Sequence, residues 1–130
     1  MKTVEVLIVV DVVGATSSGN LSDNLYMIDT NKYLGSYGEG THELSTKCHD
    51  DQKIIWRVAS ISPDNDVNIT EFTGQIITER ICVPKKNDLG DEEYWEGIVE
   101  TRGDKGNYQY ACTLRIDGKL MSFDPFLDVI

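Results

Sequence analysis

Apolar residues recur at every second position from Val4 through Val6, Ile8 and Val10 to Val12, with Leu7 and Val9 on the opposite face. β-branched side chains at period two favour a strand, and apolar residues on both faces place that strand centrally in a sheet. "GATSSGN", with Gly14 and Gly19, breaks the pattern. "NLYMIDTNKY" reads as a second strand, and "LGSYGEG" as a loop or edge segment. In "THELSTKC", Leu44 and Cys48 share a face with His42 and Thr46, and "HDDQ" is a turn. "KIIWRVASI" puts Ile54, Trp56 and Val58 on one face and Lys53 and Arg57 on the other. After the turn "SPDND", "VNITEFTGQIITERICV" reads as one long strand or two, with Gly74 as a bulge or bend. "KKNDLGDEE" is an acidic loop, and "EGIVETRG" a short strand.

"NYQYACTLRI" alternates strictly, with Tyr108, Tyr110, Cys112, Leu114 and Ile116 on one face. Asp117-Gly118 is a two-residue hairpin signal. That turn pairs Ile116 with Lys119, Leu114 with Met121 and Cys112 with Phe123, so that the apolar partners share one face. "DPFLDVI" is a last short strand. No stretch sustains helical periodicity. The expectation is an all-β protein: an antiparallel β-sandwich of about eight strands, a single domain over residues 1–130.

Charge narrows the partners. Twelve basic against twenty-two acidic residues give a net charge of −10. That field repels phosphate backbones and anionic lipid, so neither nucleic acid nor a membrane surface is an expected partner. The cysteines, Cys48, Cys82 and Cys112, are odd in number and sit in apolar patterns. They read as reduced, buried thiols in a reducing compartment, the cytoplasm. The N-terminal apolar run holds Glu5 and Asp11 and no small-residue cleavage site, which suits a strand better than a signal peptide.

The densest chemistry is "THELSTKCHDD", which holds both histidines and Cys48. A zinc site needs ligands that converge. Six residues of extended chain hold His42 and Cys48 roughly 20 Å apart, and Cys48 and His49 point to opposite faces. A strand running into a turn accounts for the segment. No nucleophile elbow, phosphate loop or dinucleotide fingerprint occurs, so no catalytic residue and no cofactor is assigned and the reading is non-enzymatic. The binding candidates are Tyr94 and Trp95 beside Asp88, Asp91 and Glu92. An aromatic next to oxygen-rich loops can stack on a sugar, and carboxylates of this kind hold calcium; core or interface packing is the favoured reading for Trp95. Whether a metal binds stays open. A homodimer or larger assembly is expected through Asn107, Gln109, Ala111 and Thr113 with Leu120 and Ser122, an uncharged face on an acidic protein.

A wider likeness runs along nearly the whole chain. "VDVVGATSSGNLSDNLYMIDTNKY", "GEGTHELSTKC", "IIWRVASISPDNDVNITEFTGQII", "ICVP", "YWEGIVE" and "MSFDPFLDV" resemble, in order, the bacterial AidA and PixA family. The stretches "NLYMIDTNKY" and "SFDPFL" are similar to the AidA branch. The resemblance implies a small single-domain protein linked to host association or population density (quorum sensing), in some members accumulating as cytoplasmic inclusion bodies. It carries no catalytic residues with it. Gly40, Leu44, Cys48 and Trp56 match family positions, whereas His42 and His49 answer to no family requirement. Three methionines set the chain apart from methionine-rich inclusion proteins. The expectation is a protein acting by binding or self-assembly, with a glycan-binding lectin, with or without calcium, and an enzyme of unknown reaction as alternatives.

Overall fold

The computed structural model describes residues 2–31, 35–87 and 93–130. Ten strands form two five-stranded sheets among these residues. The first sheet holds, in spatial order, β2 (Leu25–Asp29), β1 (Val4–Val10), β4 (Lys53–Ser60), β7 (Tyr94–Ile98) and β6 (Lys85–Asn87). The second runs β3 (Ser45–Cys48), β10 (Phe126–Val129), β8 (Gly106–Ile116) and β5 (Val67–Gly74), with β9 (Lys119–Phe123) also paired to β8. The sheets pack into a sandwich. Period-two alternation turns Val4, Val6, Ile8 and Val10 of β1, and Ile54 and Trp56 of β4, into one buried cluster with Tyr110, Cys112, Leu114 and Ile116 of β8.

The sheets are mixed rather than purely antiparallel, which corrects the sequence-based expectation. β1 runs parallel to β4, with Val6 opposite Trp56, and β10 runs parallel to β3. A parallel pair needs a long connection, and residues 11–52 and 49–125 supply it. The Asp117-Gly118 hairpin has the expected register: Ile116 faces Lys119, Leu114 faces Met121 and Cys112 faces Phe123.

Two short helices depart from the expectation: one fills the predicted break after β1, and the other replaces strand expected after Gly74. Helix α1 (Val12–Ser18) begins where the Asp11 carboxylate accepts the Gly14 N–H at 3.1 Å, and ends at Gly19 in the left-handed region. Helix α2 (Gln75–Thr78) follows Gly74, which closes β5 rather than bulging within it. The irregularity of β5 lies between Ile69 and Glu71. The "KKN" of the expected acidic loop is the edge strand β6.

The segment 37–45 seals one side of the sandwich. Tyr37 bridges Ser45 at the start of β3 and Thr41 bridges Met27 of β2, so outer strands of both sheets are covered there. Covering an edge blocks strand addition. β5 and β6 form the other pair of outer strands.

The turn after β3 is tied down by one carboxylate. Asp50 accepts the backbone N–H groups of Thr101 at 2.7 Å and Gly103 at 2.9 Å. These bonds hold its carboxyl below the usual range near 3.8. A depressed folded pKa adds stability that is complete above the unfolded value and lost as pH falls through the folded one. Asp50→Asn therefore lowers the melting temperature at pH 6, and its gap to the parent narrows steadily below about pH 4. A gap unchanged between pH 6 and pH 2.5 would remove this role.

Candidate functional site

Strand alternation divides the expected site. On β7, Tyr94 faces outward, where the Arg57 guanidinium carbon lies 5.4 Å from its ring centroid. Trp95 faces inward, its ring centroid 5.4 Å from that of Phe72 at 59°. Neighbours on a strand point to opposite faces, so these two aromatics do not converge on one ligand. The period-two pattern of "YWEGI" already held that signal. Asp88, Asp91 and Glu92 lie outside the described residues. Among the described residues the buried Trp95 indole nitrogen has no hydrogen-bond partner, and Trp95 lines a recess of about 80 Å³ with Val58, Ile69 and Glu93. That volume suits ordered water, not a sugar ring.

The histidines and Cys48 likewise disperse. His42 lies 3.6 Å from the Glu43 carboxylate, and His49 Nδ1 lies 3.2 Å from the Ile130 carbonyl. Among the described residues no three His, Cys, Asp or Glu side chains converge as metal ligands. All three cysteines are free and buried, as expected. Burial pushes the Cys48 and Cys82 thiols up to about 12 and raises Cys112 as well. Such thiols stay protonated and are poor nucleophiles.

Two surfaces stand out instead. The first is the outer face of β2 and β1. Ile28 stands opposite Leu7 and Tyr26 opposite Val9. Ile28 is 48% exposed and Tyr26 45%, while Leu7 and Val9 are half-buried. Beside them the Arg57 guanidinium pairs with Glu5 at 2.6 Å, which cancels charge within the patch. The second is an open groove of about 460 Å³ at the β7–β6 end of the same sheet, lined by Lys53, Arg80 and Lys85 among others. The sequence reading missed both. The exposed residues of "LYMID" were legible by alternation, but the groove draws on three separate stretches of chain, at Lys53, 80–85 and 96–100. A third recess, also about 460 Å³, lies at the β8–β9 turn between Asp66, Arg115 and Asp117.

The molecule is thus a small mixed-sheet β-sandwich whose recessed surfaces are open grooves. Residues 2–122 match the family described as Domain of unknown function (DUF8788), and the chain belongs to that family. Among solved structures it is similar to the inclusion body protein PixA of Burkholderia cenocepacia J2315. The TM-score is 0.75 at 14% identity, over 99% of this chain and 96% of that one. At such identity the likeness is one of fold, and at that level the PixA resemblance read from the sequence holds. None of the curated proteins compared matches the chain. No helix among the described residues is long and apolar enough to cross a membrane.

Proposed function

We propose that this protein is non-enzymatic and acts by self-association, with the outer face of β2 and β1 as the meeting surface. The observation that carries the reading is the pairing of exposed Tyr26 and Ile28 with Leu7 and Val9 on a sheet face left open to solvent. Contiguous apolar surface on a soluble domain marks an interaction site. The Glu5–Arg57 pair offsets one of the two acids beside this patch, Glu5 and Asp29, on a chain of net charge −10, which lowers the like-charge repulsion between two copies meeting there. A symmetric dimer is the commonest product of such a face. A protein of the same fold carries the name inclusion body protein, which suits assembly. The link to host association and population density comes with the family resemblance.

This places the interface elsewhere than the sequence reading did. On the β8–β9 face, Leu120 is exposed, but Thr113 bonds Ser122 at 2.8 Å and Arg115 stands opposite Leu120. That face offers one large apolar side chain and a cation. Light scattering at about 100 µM should give the parent a mass of at least twice 14.6 kDa. Tyr26→Lys with Ile28→Lys should return it to a folded monomer, and Thr113→Lys with Leu120→Lys should not. A monomeric parent overturns the proposal, and dissociation by the second pair alone moves the interface to β8–β9. A glycan array with and without calcium checks the lectin alternative.

A further inference from the structure

The groove at the β7–β6 end has a composition at odds with the rest of the surface. Lys53, Arg80 and Lys85 line it, three cations on a chain with twelve in all and a net charge of −10. Lys53 is answered by Glu96, at 2.9 Å. Arg80 and Lys85 form no ion pair among the described residues. Glu100 is the other acid of the groove, so positive charge exceeds negative by one, three cations against two acids. Two aliphatic side chains share the groove and are left bare, Val83 at 48% exposed and Ile98 at 50%. Its volume of about 460 Å³ falls within the range of small-ligand sites.

The backbone at Arg80 is the independent observation. α2 ends in a two-bond closure, with Ile81 N–H donating to the Ile76 carbonyl at 2.9 Å and Arg80 N–H donating to the Ile77 carbonyl at 3.1 Å. The residue after the cap in such a closure adopts the left-handed conformation and is ordinarily glycine. Here it is Arg80, at φ 55°. A residue held against local preference is a mark of a functional position when its side chain reaches a recess. Arg80 is exposed and lines the groove.

We propose that this groove binds an aliphatic carboxylate. Arg80 and Lys85 take the carboxylate by charge-assisted hydrogen bonds, Arg80 through its planar fork, and Val83 and Ile98 cover the hydrocarbon. Glu100 disfavours anions of higher charge, phosphate included. The carboxylate belongs either to a free acid or to the C-terminal aliphatic residue of a peptide. The site is independent of self-association, since β2 and β6 are opposite ends of the sheet, roughly 19 Å apart at normal strand spacing.

The experiment is an amide-detected NMR titration with octanoate, octanamide, inorganic phosphate, and acetyl-Gly-Gly-Val as free acid and as amide. At least one acid should bind with a dissociation constant on the order of 1 mM, with shifts centred on Arg80, Lys85 and Ile98. The acid that binds more tightly identifies the source. Arg80→Gly should weaken that acid at least about tenfold while its melting temperature equals or exceeds the parent's, because glycine suits the left-handed position. Lys85→Gln should weaken it several-fold, and the monomeric Tyr26→Lys, Ile28→Lys protein should bind as the parent does. The proposal is overturned if neither acid binds, if an amide or phosphate binds as well as its acid, or if Arg80→Gly binds unchanged.

Discussion

Trp56→Ala should cost about 3–5 kcal/mol, a large share of the 5–15 kcal/mol that holds a typical domain together. Trp56 is fully buried on β4 in the first sheet. Its ring centroid lies 4.9 Å from that of Phe72 on β5 and 6.0 Å from that of Tyr110 on β8, both in the second sheet. Its indole N–H donates to the Tyr110 hydroxyl at 3.1 Å. One side chain therefore joins the layers by apolar contact and by a hydrogen bond. Truncation removes the transfer energy of a large aromatic, leaves a cavity between sheets that a ladder of backbone bonds keeps from collapsing, and orphans a phenol that burial holds neutral. The melting temperature should fall by about 10–20 °C. Trp56→Phe keeps the ring packing and loses the N–H, so it should cost about 1–2 kcal/mol. Urea titration of both variants checks the pair. A Trp56→Ala protein that melts within 2 °C of the parent would show that this contact does not join the layers.

Trp56 was legible because its strand alternates cleanly and Lys53 and Arg57 mark the opposite face. The β8–β9 register was legible for a related reason, since a two-residue turn leaves one pairing that keeps Cys112, Leu114 and Ile116 on the core side. Other features escaped because their causes are not local. Nothing along β1 says that its neighbour β4 runs parallel to it; a central strand apolar on both faces apart from Glu5 accepts either direction. α1 spans seven residues, too few for a helical period to show, and its evidence was confined to its ends, Asp11 and Gly19. β6 carries two lysines and is held by its ladder to β7 alone, so its sequence reads as a loop. The site was the least legible part. Tyr94 and Trp95 drew notice as adjacent aromatics, yet adjacency on a strand separates side chains. Lys53, Arg80, Lys85 and Ile98 meet only because β4, β7 and β6 are neighbours and the chain leaving α2 is tied just past the end of β7, where the Glu100 N–H donates to the Ile81 carbonyl at 2.7 Å.

Gly74→Ala should destabilise the fold by about 2–4 kcal/mol, although the change adds one methyl group. Gly74 sits at φ 95°, ψ −161°, a region essentially reserved for glycine. That geometry swings the chain out of β5 and directly into α2. A Cβ placed there would lie 3.0 Å from Tyr110 Cα and 3.2 Å from Ala111 N. Both are backbone atoms of β8, the strand that β5 pairs with along its length. A flexible side chain can swing aside; a strand laddered to β5 on one side and tied on the other by the Tyr110 N–H to the Pro125 carbonyl at 3.0 Å cannot. The cost therefore has two parts, strain in the substituted residue and displacement of β8 where Tyr110 meets Trp56. Gly118→Ala separates them. Gly118 also has positive φ, 83°, but its Cβ would meet no atom within 4 Å, so only strain remains. That variant should cost about 1 kcal/mol. Melting curves of the two proteins measure the close approach as a difference. If Gly74→Ala is no more destabilised than Gly118→Ala, then β8 yields at Tyr110 and the close approach of Gly74 to it contributes nothing to stability.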